Sequence, residues 1–244
     1  MTFCFATTQK KSAHWTPALL INFKNSHLTY ITPASGIAAC FFIAFGILAS
    51  SSHYTRSTIY SPKNHFISEL GLATASEYSF VFNICIGIGG VLLVIFNNGL
   101  GNYLCKSPLA WYAAYIGMGA ALSFSAIGYF TADNWHAHRT VALVFFSGVM
   151  ISVVLFSYCL WLNKQGKLHH FIGMLCFIIT FIYFVVLFWP KVLLIQLINH
   201  PENFVRPELW GLAVLEWTYC LFIGSWILTV SADLIYILNK KEKL

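Results

Sequence analysis

The chain predicts an all-α fold, a polytopic membrane bundle of six transmembrane helices, and three observations carry that reading. Of its 244 residues 58% are hydrophobic and only 9% charged, whereas a soluble domain is charged at about a quarter of its positions. Mean hydropathy is +0.71. The apolar residues fall in continuous runs near the roughly 20 residues that cross a bilayer. Because a lipid-facing segment must satisfy its own backbone, continuous runs read as helices rather than strands.

Taken in order, the runs are Ile31 to Ser51, Ser79 to Phe96, Ala110 to Ala132, Thr140 to Leu162, Phe171 to Trp189 and Leu209 to Leu238. Turn and stop signals separate them: Asn97-Asn98-Gly99, Asp133-Asn134, Asn163 to Lys167, and Pro190 with Pro201 and Pro207. The chain divides into residues 1–30, a cytoplasmic or interfacial segment; 31–238, the six-helix domain; and 239–244, a basic cytoplasmic tail. Trp15 to Phe23 is too short to span, and no small-residue cleavage site follows it, so it reads as interfacial rather than as a signal peptide. Glycines and alanines of helices 2 and 3 (Gly87, Gly89, Gly90, Gly117, Gly119, Ala120, Ala121) are packing residues. The seven cysteines are scattered singly, with no C-x-x-C pair, and read as small apolar side chains.

Six spans put both termini on one side. The tails and the loops after helices 2 and 4 carry nine of the fourteen basic residues, and the opposite side carries Arg56, Lys63, Arg139, Lys191 and Arg206. The positive-inside rule then places both termini in the cytoplasm. The net charge of +6 is an orientation signal, and without a dense basic stripe no nucleic-acid partner is expected.

The acids follow the reverse distribution: Glu69, Glu77, Asp133, Glu202, Glu208 and Glu216 fall on the outer side, with His53, His65, His136, His138 and His200. In the first loop, Pro62 can open a short helix in which His65 and Glu69 share a face and Gly71 caps the end. In the connection between helices 3 and 4, Asp133 is the expected cap and His138 opens helix 4. Glu216 is the sharpest residue, because a carboxylate at membrane depth must be protonated, paired or turned to a polar cavity. A structural hydrogen bond to a facing helix explains it equally well. Asp233 lies near the cytoplasmic lysines and needs no special role.

Ser61-Pro62 to Ser68-Glu69-Leu70-Gly71, Phe82-Asn83 with Gly89-Gly90, and Gly128 with Asp133 and His138-x-x-x-Ala142-x-x-Phe145-Phe146 together resemble a prokaryotic family of six-helix membrane proteins, the domain of unknown function 998 type. That family is similar in turn to the eukaryotic DRAM-type proteins. The resemblance covers about Ile31 to Leu238. It implies the fold, an involvement with membrane lipids, and family positions at Ser68, Glu69, Gly71, Asn83 and His138. Gly211-Leu212 and Glu216 resemble the family's polar pattern in helix 6, but Trp217 stands where an arginine often accompanies it.

Four functions are weighed. The leading expectation is an outer-side polar pocket of Ser68, Glu69, Asn83, Asp133, His138 and Glu216 that binds a lipid headgroup or small amphiphile, with membrane lipids as partners and the bacterial inner membrane as location. The alternative is a metal-dependent intramembrane hydrolase or lipid transferase, with zinc held by Asp133, His136 and His138 and Glu69 or Glu216 as general base. Against zinc, two histidines one residue apart point to different faces of a helix. A structural subunit of a membrane complex is the third. Proton transport through Glu216 is weaker, since no inverted repeat is visible.

Overall fold

The structure, a computed structural model, describes residues 26–55, 59–104, 107–162, 167–188 and 205–242. The N-terminal apolar patch lies outside the described residues, as does the segment from Lys191 to His200, whose sequence after Pro190 reads as an amphipathic strip on the outer surface. Six α-helices form among the described residues: α1 Ser26–Ser52, α2 Ser79–Tyr103, α3 Pro108–Ile127, α4 Trp135–Leu162, α5 Lys167–Phe188 and α6 Gly211–Glu242. Among the described residues five of them are long and apolar enough to cross a membrane, and α5 carries an apolar stretch at Gly173–Ile182. The chain is a multi-pass helical membrane protein. Exposed side chains such as Phe41, Phe45 and Leu48 on α1 and Phe177 and Phe181 on α5 are what lipid, rather than water, would cover.

Helix boundaries move where local signals meet tertiary contacts. The expected stop at Asn97-Asn98-Gly99 is absorbed into α2. Asn97 Nδ2 donates to Leu93 O (2.7 Å) and Asn102 Nδ2 to Asn98 O (2.9 Å), so the amides bond back along the helix instead of turning it. Gly99 is needed there because Thr32 of α1 occupies the place its β-carbon would take. Helix α3 begins with Pro108 at its first turn, where a missing N–H costs nothing. It ends at Ile127, five residues earlier than expected. Helix α4 starts at Trp135, and Asn134 rather than Asp133 takes the cap: its Oδ1 faces the amide of Ala137 at 3.4 Å.

The helices form a closed ring. Each packs on its chain neighbours, and α6 completes the circle against α1. Small residues set the closest approaches: Gly90 sits against the Ser125 backbone, and Ser125 Oγ donates to Gly87 O at 2.9 Å. Gly119, expected among the packing residues, faces open space. Large side chains bridge the middle of the ring. Trp226 of α6 is 2% exposed, lies against Phe96 of α2 and Phe156 of α4, and donates through Nε1 to Ser157 Oγ at 3.0 Å. Tyr219 donates from its hydroxyl to Phe146 O at 3.1 Å.

These glycines make separable predictions. Gly90→Ala places a β-carbon 2.6 Å from the Ser125 backbone, and the clash should destabilise the fold by about 1–3 kcal/mol, read as a lower thermal midpoint in detergent. Gly119→Ala should leave that midpoint unchanged.

Candidate functional site

One end of the ring is closed by the loop between α1 and α2. Its chain does not form the helix expected from Pro62. Residues 62–64 make a turn, in which His65 N donates to Ser61 O at 2.9 Å. Phe66 is extended (φ −73°, ψ 149°), and a short 3-10 helix follows at Ile67–Gly71. The extended residue separates His65 from Glu69, so the two do not share a helix face. His65, 1% exposed, is instead held between Tyr54 and Tyr60, with ring centroids 5.2 Å from each.

This 3-10 segment packs on α1, α2 and α6, and buried irregular backbone of that kind must find partners for its amides and carbonyls. Side chains from all three helices supply them. Ser50 Oγ of α1 donates to Leu70 O at 2.7 Å, and Asn83 Nδ2 of α2 donates to Gly71 O at 3.0 Å. From α6, Glu216 Oε2 accepts the amide of Ile67 at 3.0 Å, and Trp217 Nε1 donates to His65 O at 3.1 Å. Tyr60 donates its hydroxyl to Phe66 O at 3.0 Å. Burial, with the carboxylates of Glu216 and Glu69 adding to it, pushes that phenol far up, so it stays protonated and a donor.

An ion pair fastens the plug to the chain leading into α6. Arg206 meets Glu69 in a bidentate fork, Nη1 to Oε1 at 3.0 Å and Nη2 to Oε2 at 2.8 Å. The same guanidinium donates to Asn64 O and lies 5.8 Å from the centroid of Trp210. Glu69 also accepts from Phe66 N at 3.0 Å and from the Tyr54 hydroxyl at 3.3 Å. One backbone and one side-chain tie run beside it: Trp210 N donates to Lys63 O at 2.8 Å, and Asn64 Nδ2 donates to Pro207 O at 3.1 Å. Glu216 differs from Glu69, since among the described residues no cationic side chain pairs with it.

Beneath the plug lies a chamber of about 310 Å³. Ile67 of the plug and Trp217 of α6 form its upper wall, and Ile43, Ile86, Phe124, Val149 and Ile223 are among the apolar residues around it. Ala44 of α1 and Leu221, Ser225 and Leu228 of α6 line it too, although all four are exposed on the outside of the bundle. The chamber therefore reaches the outer surface between α1 and α6.

The six expected pocket residues are only partly brought together. Glu69, Asn83 and Glu216 all hold the plug, and Ser68 sits half-buried within it. Asp133 is exposed and accepts from Thr131 Oγ1 at 3.0 Å, while His138 is buried with its Nδ1 2.8 Å from Phe130 O. Neither bonds to the plug carboxylates. Among the described residues no three His, Cys, Asp or Glu side chains form a group that could hold a metal ion, so Asp133, His136 and His138 do not assemble as the zinc set. His136 is exposed and His138 turns inward, as expected of neighbours one residue apart on a helix. Sequence reasoning missed Arg206 as a partner. The sequence marks it as an orienting charge, and its one signal as a partner is a lone arginine one residue before a proline at a span's mouth.

The ion pair should behave as a unit. Arg206 and Glu69 side chains are 13% and 7% exposed, so Arg206→Ala strands a buried carboxylate and should cost about 3–5 kcal/mol. Adding Glu69→Gln should recover part of that loss, and a double-mutant cycle on thermal or denaturant midpoints reads the coupling. Separately, Glu216→Leu should cost about 1–3 kcal/mol by leaving Ile67 N without its acceptor, and Glu216→Gln much less.

Comparison with known proteins gives one family match: the model described as "Protein of unknown function (DUF998)" matches residues 36–233. No curated protein matches the chain, and no solved structure does.

Proposed function

Because the chain belongs to the DUF998 family, whose description names no activity, we propose a function from geometry: the protein binds a membrane amphiphile, with the apolar tail in the central chamber and the polar head at the plug. The observation that carries this reading is the chamber itself, about 310 Å³ of mostly apolar-walled space under a polar cap. Ligand pockets run from about 300 to 1,000 Å³, largely apolar with a few placed polar groups, and a single-tailed lipid suits the lower end. The gap between α1 and α6 gives lateral access from the bilayer. The group proposed to meet the head is Glu216, which is next in sequence to the lining Trp217 and whose second carboxylate oxygen accepts no bond from the described residues. The charge distribution along the chain supports termini in the cytoplasm and a plug on the opposite side of the membrane. That orientation would favour a lipid of the outer leaflet.

The test uses the full chain in detergent micelles and a brominated monoacylglycerol as the probe. Trp217 and Trp226 line the chamber, so tail binding should quench their fluorescence. Gly224 also lines it and has open space beside it, so Gly224→Phe should fill the chamber and abolish most of the saturable quenching without unfolding the bundle. Quenching that is equal in Gly224→Phe and in the unmodified chain would show that the tail lies elsewhere.

A further inference from the structure

At the far end of the chamber from the plug, its apolar wall is broken by a pair of oxygens. Asn97 of α2 and Ser152 of α4 both line it, with Gly117 of α3 between them. A β-carbon on Gly117 would collide with Asn97 Oδ1 and with Ser152 Oγ, so both oxygens pack against the same glycine, and its missing side chain lets them lie close together on the chamber wall. Asn97 lies eleven residues beyond Ile86, about 16 Å deeper along the helix at the standard rise.

The hydrogen-bond roles at this point are fixed. Asn97 Nδ2 donates to Leu93 O at 2.7 Å, and because a carbonyl can only accept, this assigns the amide orientation and leaves Oδ1 as the atom beside Gly117. No described residue donates to that Oδ1. Ser152 spends its proton on Ala113 O at 2.8 Å, so toward the chamber its oxygen is an acceptor as well. Two acceptors with no acid or base beside them match a neutral donor, a hydroxyl or an N–H. They do not match a ketone or ester carbonyl. Nor does Asn97 tie helices together, since its amide bonds only its own helix one turn back. A polar side chain inside a membrane bundle is costly and commonly marks function.

We propose that Asn97, Ser152 and Gly117 form a hydrogen-bonding subsite that recognises a hydroxyl or N–H carried within the buried tail of the amphiphile. The subsite rests on the chamber being a tail-binding site. It makes the protein selective for tails functionalised partway along, and it excludes none of the purely hydrocarbon tails on size.

Monoolein and monoricinolein are the probes, because they share head group, length and double bond and differ by one mid-chain hydroxyl. Each competes against the brominated monoacylglycerol on the full chain, read by recovery of tryptophan fluorescence. The unmodified protein should prefer monoricinolein by about fivefold, the worth of one net hydrogen bond. Asn97→Leu should bring the two to parity while monoolein still binds. Gly117→Ala, whose methyl would push Asn97 Oδ1 and Ser152 Oγ out of position, should also remove the preference, and it provides a second reading if Asn97→Leu does not fold. Equal affinities in the unmodified protein, or a preference that survives in the folded variants, overturn the subsite and leave the chamber intact. If neither probe displaces the brominated lipid, the tail-binding reading itself fails and the subsite with it.

Discussion

A loop sunk into the end of a helical ring has no helix ladder of its own to satisfy its amides and carbonyls, and that constraint organises this molecule. The 3-10 segment at Ile67–Gly71 is held by Ser50, Asn83 and Glu216 from three helices. Each contact supplies a partner that water would give to an exposed loop. The Glu69–Arg206 fork then fixes the segment to the approach to α6. Without these side chains the ring would have an open mouth, and the chamber below it would open at that end as well as between α1 and α6.

The two buried carboxylates do different work. Glu69 is saturated: a guanidinium, a backbone amide and a tyrosine hydroxyl share its two oxygens. Its role is mechanical, and a headgroup would have to displace Arg206 to reach it. Glu216 has one oxygen on Ile67 N and stands in the second turn of α6, near the positive end of the helix dipole. That makes it the group at the cap better suited to meet a ligand. The polar cluster expected at the outer mouth therefore separates into a fastening and a candidate contact.

Glycines and aromatics divide the interior in a similar way. Gly90 and Gly99 bring neighbouring helices together, while Trp226, Phe96 and Phe156 bridge the ring where helices do not touch backbone to backbone. The chamber is the part of the ring's axis that these large side chains leave unfilled. Gly117 belongs to neither group, since what it avoids is a pair of polar oxygens.

Apolar run length determined the long helices and the membrane assignment, because spanning a bilayer demands about 20 apolar residues whatever the neighbours are. It also singled out Glu216, since cost at membrane depth is a property of the residue alone. The α2 boundary was not legible: Asn-Gly is a turn signal locally, and only Thr32 on another helix requires Gly99 to stay helical. Nor was the partner of Glu69, which lies 137 residues away along the chain. Pairings of that range depend on ring closure between α1 and α6, which no local pattern encodes. Which of the outer acids and histidines converge, and which, like Asp133 and His138, do not, was decided by tertiary structure. A side chain's direction follows from the helix it sits on and the turn that delivers it, and those are set by packing across the whole ring.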